Sequence, residues 1–509
     1  MKLALLMVAA GSAWAAGPYF NVLDYGAHND ASVPSTEAFR AAIQAAKAAG
    51  GGTVYVPAGK YTSGPIELVS NLVLSFDAGA VVHFPAAKLP FVPGRQQGVD
   101  ALTPAPLIGG RNLENVTIGG RGTLTSDNAE WMKLMPRIAG SGADPGSANG
   151  PNWEHLLQLL EIKTPASQED YLKAAPELRP SFIRTMDSKN VVIEGLRFVG
   201  SPMWTIHLLY SDNVTVRGVI VETYPGVHTD GIAIDSSRNV RISDCYIDTG
   251  DDGIVIKSGK DADGLRVNRP SEDIAITNCT VRHAHGAVTL GSETSGWIRN
   301  LTASNITCHG TQIGVRIKSS RTRGGGVENV RFDNWVMDGV GEGIDVTNYY
   351  LMEGEVRGQP AAVTPRTPVF RNIAISNMTI ARAKTAINIE GLPEMPIEGL
   401  RLSNIVATAN VGLRAYNTAG LSVHDLQVDA YAGPAFLVRD SKDLELDRPS
   451  TRKPLPGVPA IRLDRCPGAA VRASRTTLSA GPGELKKIAI EGNATASESA
   501  VDYWKAAGK

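Results

Sequence analysis

Short apolar runs alternating with polar residues recur along most of the chain. Val, Ile and Thr take every second place in 115–120 (NVTIGG), 190–200 (NVVIEGLRFVG), 213–222 (NVTVRGVIVE), 239–248 (NVRISDCYID) and 273–282 (DIAITNCTVR). The same pattern returns in 300–310 (NLTASNITCHG), 329–339 (NVRFDNWVMDG) and 372–382 (NIAISNMTIAR). Period-two alternation rich in β-branched residues, closed by Gly, Asn or Asp, predicts strands. Between 190 and 329 these runs begin 23, 26, 34, 27 and 29 residues apart. Gly-led runs lie between them: 231–235 (GIAID), 253–257 (GIVIK), 286–291 (GAVTLG), 314–318 (GVRIK) and 343–346 (GIDV).

One such unit cannot bury its inner face alone. Stacking coil on coil buries a continuous aliphatic column and pairs each strand with those above and below. The chain therefore reads as all-β, a single parallel β-helix. A leucine-rich repeat would need a recurring Leu-x-x-Leu-x-Leu, which is missing. Residues 35–52 predict a helix, with Ser35 or Thr36 at its start and Gly50 to Gly52 at its end. Placed over the first coil, it would cap the exposed sheet edge. Residues 127–180 break the repeat and read as an insertion. The domain spans 17–485, and the Ala/Ser-rich 486–509 reads as a tail.

Stacking changes the meaning of the acids. Asp230 precedes Asp251 and Asp252 by 21 and 22 residues, one coil, so they become neighbours about 4.8 Å apart. The steps from Asp252 to His285, Arg316 and Tyr349 are 33, 31 and 33 residues, which extends the stripe. Clustered carboxylates repel, so at least one should keep a proton near neutrality. An acid form beside an ionised form suits glycoside hydrolysis. Arg316 and Lys318 project to one face. With Arg321 and Arg323 they form a basic patch fit to grip a carboxylate.

The chain has 509 residues, 43% of them hydrophobic, and a formal net charge of −1. That balance argues against nucleic-acid binding. Residues 1–16 (MKLALLMVAAGSAWAA) read as a signal peptide, with Lys2, an apolar run and Ala13-Trp14-Ala15. No other stretch is apolar enough to span a membrane. A secreted or periplasmic, monomeric protein is expected. The four cysteines lack metal-type spacing, so no metal or cofactor is expected. Cys245 and Cys279 fall at matching places in successive repeats, as stacked thiols or a disulfide.

Thr229-Asp230-Gly231, Gly250-Asp251-Asp252-Gly253, His285-Gly286, Arg316-Ile317-Lys318 and the downstream Tyr349 resemble glycoside hydrolase family 28, the polygalacturonases, over roughly 18–430. The resemblance implies a right-handed, pectin-lyase-like β-helix that inverts at the anomeric carbon while cleaving α-1,4-galacturonosidic bonds of pectin. It implies Asp251 as general acid, and Asp230 and Asp252 as the groups that activate water. His285 would set their protonation. Arg316 and Lys318 would bind a galacturonate carboxylate, and Tyr349, or else Tyr350, would contact the sugar. His228 stands where the family usually has Asn, and it could shift the pKa of Asp230 or reshape a subsite. Residues 260–272 and the 127–180 insertion, a candidate wall across the groove, resemble exo-acting bacterial members. Two rivals remain: a β-helix lyase of acidic glycans, with the acids holding calcium, and a glycan-binding β-helix without catalysis.

Overall fold

The structure is a computed structural model that describes residues 17–134, 150–161, 166–350 and 358–506. The expected leader, and residues 135–149 and 162–165 of the insertion, lie outside the described residues. Among the described residues, 37 strands join one sheet through parallel ladders, wound as a β-helix. A typical coil supplies three strands. Ile183–Met186, Lys189–Glu194 and Arg197–Val199 pair with Ile206–Leu209, Asp212–Arg217 and Ile220–Glu222 of the next coil. Alternate residues point inward, and Ile206, Leu208, Ile232, Ile234, Ile254 and Ile256 are fully buried in one column.

The asparagines that head the repeats have a local reason. Asn190, Asn213, Asn239, Asn300 and Asn329 all turn through left-handed backbone, with φ between 55° and 58°. Asparagine tolerates that region better than other non-glycine residues. Its amide then bonds to the coil before, as in Asn213 Nδ2 to Asn190 Oδ1 at 2.7 Å.

Helix α1 (Thr36–Ala48) covers the first coil with Phe39, Ala42, Ile43 and Ala46. Ser35 takes the N-cap position, but its hydroxyl serves the backbone of His28 instead of the helix. Gly50 ends the helix region at φ 83°, conformational freedom that only glycine has cheaply. At the other end the stack outlasts the expected domain limit of 485. Ala489–Gly492 and Thr495–Glu498 still pair in parallel with Ala470–Ser474 and Thr477–Ala480. The small side chains hide the alternation, while the backbone ladder does not need it. All four cysteines are free and buried, so Cys245 and Cys279 are thiols.

One element breaks the winding. An antiparallel hairpin, β1 (Phe91–Gln96) and β2 (Val99–Pro104), lies across the outer face of one row of strands. That row is β3 (Ile108–Arg111), β4 (Ile183–Met186), β5 (Ile206–Leu209), β6 (Ile232–Asp235), β7 (Ile254–Lys257), β8 (Gly286–Gly291), β9 (Ile313–Lys318) and β10 (Glu342–Thr347). Behind the hairpin stand α2 (Pro151–Glu161) and α3 (Gln168–Ala174), from the insertion. Trp153, Leu156 and Ala174 pack there on Val99 and Ala101. The short α4 (Asp261–Val267) follows β7 and touches both α2 and β2.

Candidate active site

The acids lie just before the starts of β6 and β7. Ile232 pairs with Ile254, an offset of 22 residues, so Asp230 stands opposite Asp252. The Gly231 N–H donates to the Asp252 carbonyl at 3.0 Å. The next offset is 34, from Ile254 to Val288, because α4 lies within that coil. It sets His285 against Asp251, and the His285 N–H donates to the Asp251 carbonyl at 3.1 Å. The structure thus brings Asp230, Asp251, Asp252 and His285 together.

The stripe bends where equal steps had extended it. Arg316 pairs with Thr289, not with His285. Its long side chain recovers the distance, and Nη1 reaches Asp252 Oδ1 at 3.5 Å. Lys318 Nζ donates to Asp252 Oδ2 at 2.9 Å, and Thr289 Oγ1 donates to Asp252 Oδ1 at 2.9 Å. The phenol against this pair belongs to Tyr350, whose ring centre lies 4.7 Å from Lys318 Nζ and 5.3 Å from the Arg316 guanidinium. Tyr349 is buried instead, and its hydroxyl accepts the Gly358 N–H. Arg321 and Arg323 leave the expected basic patch, because they pair with Glu394 and Asp261.

The three acids are not in the same state. Asp251 Oδ1 accepts from His285 Nδ1 at 3.1 Å and from the Asp252 N–H at 2.8 Å. Burial would raise Asp251, but the His285 bond and the charges of His285 and Lys318 outweigh it and hold the acid low. Burial likewise opposes Asp252, and Lys318 and Arg316 pull it below its ordinary value. Asp230 has fewer cations. Burial first, then the charge of Asp251, push it well above the ordinary range. Of the three acids, Asp230 is therefore the one whose surroundings favour the protonated form. His285 is raised in turn by its bond to Asp251.

Sequence reasoning missed the support around these groups. Lys257 is buried between Asp230 at 3.7 Å and Glu293 at 3.2 Å, with its ammonium 4.8 Å from the Trp204 ring centre. The signal was present, since GIVIK and GVRIK end alike and Lys257 and Lys318 both point outward. Arg179 was also missed. Its Nη2 lies 3.0 Å from His228 Nδ1 and can only donate, so that nitrogen carries no proton and the ring is neutral. Burial and Arg179 both lower His228.

Two ammonium groups thus occupy the space beside Asp230 and Asp252 where a calcium ion would need open oxygens. The arrangement is a set of carboxylates with a shared proton next to cations on a groove, the makings of a glycoside hydrolase. A family model for glycosyl hydrolases family 28 matches residues 167–419. A second, for rhamnogalacturonase A/epimerase, pectate lyase-like proteins, matches residues 19–90. The chain is 32% identical to a hyperthermoactive exopolygalacturonase from Thermotoga maritima, over 80% of this chain and 91% of that one, with a TM-score of 0.72. It is 29% identical to a probable polygalacturonase of Vitis vinifera, covering 76% of this chain and 73% of that one. It is 27% identical to an exo-poly-alpha-D-galacturonosidase of Dickeya chrysanthemi, covering 73% and 64%. This chain belongs to glycosyl hydrolases family 28 and is a glycoside hydrolase.

Proposed function

We propose that the chain is an exported, exo-acting polygalacturonase that hydrolyses terminal α-1,4-galacturonosidic bonds of polygalacturonate with inversion. The observation that carries this reading is the meeting of Asp230, Asp251, Asp252 and His285 beside Arg316 and Lys318. A galacturonate carboxylate fits the cationic pair, and Tyr350 offers a ring face to the same sugar. Exo action is favoured by the hairpin. It is tied to the row at β4 and β6, on the N-terminal side of the acids, where it would close one end of a substrate groove.

In this reading Asp251 protonates the leaving oxygen, while Asp252 and Asp230 direct water at the anomeric carbon. The free protein favours the proton on Asp230, so the substrate has to redistribute it. The substrate carboxylate offsets the charge of Lys318, which is part of what holds Asp251 low. Asp251 then takes a proton, its repulsion of Asp230 falls, and Asp230 ionises. The three acids titrate as one unit.

The test is a time course on polygalacturonate with product sizing and detection of the first-formed anomer. Monogalacturonate or a single short product with inverted configuration is expected. Unsaturated products that vanish with chelator would replace this reading by a lyase, and a spread of oligomers from the first minutes would replace exo by endo.

A further inference from the structure

The groove row does not end at the hairpin. On its far side a cavity of about 510 Å³ lies between α1, β1, β3 and β4, within the range of ligand pockets. Ile43, Ile66, Val92 and Met186 give it apolar walls. Arg184, only 4% exposed, lines it and is the anomaly. Its Nη1 donates to Thr103 Oγ1 at 2.6 Å, and Nη2 makes a long contact to the Pro93 carbonyl at 3.5 Å. Among the described residues no carboxylate pairs with it. Burial pushes it down to about 10, and no anion pushes it back. An uncompensated buried charge costs several kcal/mol, and natural sites resolve it with a counter-ion.

Register supplies a second observation. Arg184 pairs with His207, His207 with Ala233, Ala233 with Val255, Val255 with Thr289, and Thr289 with Arg316. Arg184 therefore holds the same outward place as Arg316, five coils away, or about 24 Å. Arg40 and Arg111 also line the cavity, but they are paired with Glu37 at 2.7 Å and Asp187 at 2.9 Å, so Arg184 is the cation there that lacks a carboxylate among the described residues.

We infer that this cavity is a second acidic-sugar site, which takes a uronate residue of a pectic chain with its carboxylate on the Arg184 guanidinium. The identity of the ligand rests on the proposed function. The hairpin separates this site from the cleavage pocket, so the bound residue belongs to another strand or a distant part of the polymer. Holding the enzyme on the polymer raises the local concentration of chain ends at the pocket.

The experiment compares kinetics on polygalacturonate and on digalacturonate for the wild type, Arg184→Met and Gln44→Trp. Gln44→Trp fills the mouth from an exposed position on α1 without altering Arg184. Both variants are expected to raise KM for the polymer about tenfold and to leave digalacturonate kinetics unchanged. Arg184→Met should also melt no lower than the wild type, because it removes an unpaired charge. An unaltered polymer KM in Gln44→Trp overturns the second site. So does a loss on both substrates together with a lower Tm in Arg184→Met, which would make Arg184 a strut for Thr103. Failure of the wild type to cleave polygalacturonate would instead sink the proposed function.

Discussion

Asp230 and Asp235 are five residues apart, buried on one coil, and end in opposite states. Asp235 receives Arg95 Nη1 at 2.8 Å and faces His207 Nε2 at 3.4 Å. Burial would raise it, but Arg95 and His207 together bring it down to about 2. Arg95 is itself fully covered and also binds Asp100, Ser236 and the Tyr210 hydroxyl, which ties the hairpin to the stack. Asp230 has one cation at 3.7 Å and two carboxylates for neighbours, and burial and their repulsion raise its carboxyl. Matched charge settles a structural site. Surplus carboxylate keeps a site ready to move protons.

The largest effects should separate these two roles. Asp251→Asn is expected to cut kcat on polygalacturonate by about 10³-fold while leaving the thermal unfolding curve in place. Asp235→Asn should do the reverse in origin. It leaves Arg95 short of a buried partner, costs about 3–5 kcal/mol in denaturant unfolding, and loosens the wall, so longer products appear. If Asp235→Asn unfolds like the wild type, the contrast fails.

A smaller change sharpens the proton assignment. His285→Ala removes the donor and charge that depress Asp251, so a drop of about 10–100-fold in kcat is expected. The alkaline limb of the pH profile should move to higher pH, because the carboxylate form of Asp251 loses its support. Asp230→Asn should abolish turnover yet raise Tm by roughly 1–3 °C at neutral pH. Its sign follows from linkage. A raised carboxyl favours folding below its unfolded value, and that benefit is lost as pH rises through the folded value. A lower Tm would contradict the surplus of charge. The smallest effect separates two adjacent tyrosines. Tyr350→Ala should raise KM about threefold, as a cation–ring contact of about 0.5–1 kcal/mol implies. Tyr349→Phe should leave kinetics unchanged.

Much of this was legible in the chain. Asn or Asp at the head of each run and Val or Ile at alternate places announced the coils, and the 22-residue step placed Asp230 on Asp252. The rest depended on things the repeat does not carry. The α4 helix inside one coil made the next offset 34, which set Asp251, not Asp252, against His285. The hairpin escaped notice because Pro93, Gly94 and Gly98 interrupt its alternation and it pairs with itself. The insertion was expected to wall the groove. Its helices α2 and α3 stand behind the hairpin that lies on it. Where the proton rests depends on burial and on Lys257, and neither could be weighed before the coils were stacked.

The turn asparagines have an outcome for any host that decorates proteins with sugars. Asn115-Val116-Thr117 and Asn305-Ile306-Thr307 are acceptor triplets by composition. Yet Asn115 gives its Nδ2 to Asn71 at 2.9 Å and takes the amide of Asn190 at 2.9 Å. Asn305 is held the same way by Asn278 at 3.1 Å and Asn334 at 2.8 Å. A glycan would have to grow from a nitrogen already committed within a file of stacked amides. Once wound, the polypeptide hides its own attachment points in plain view of solvent.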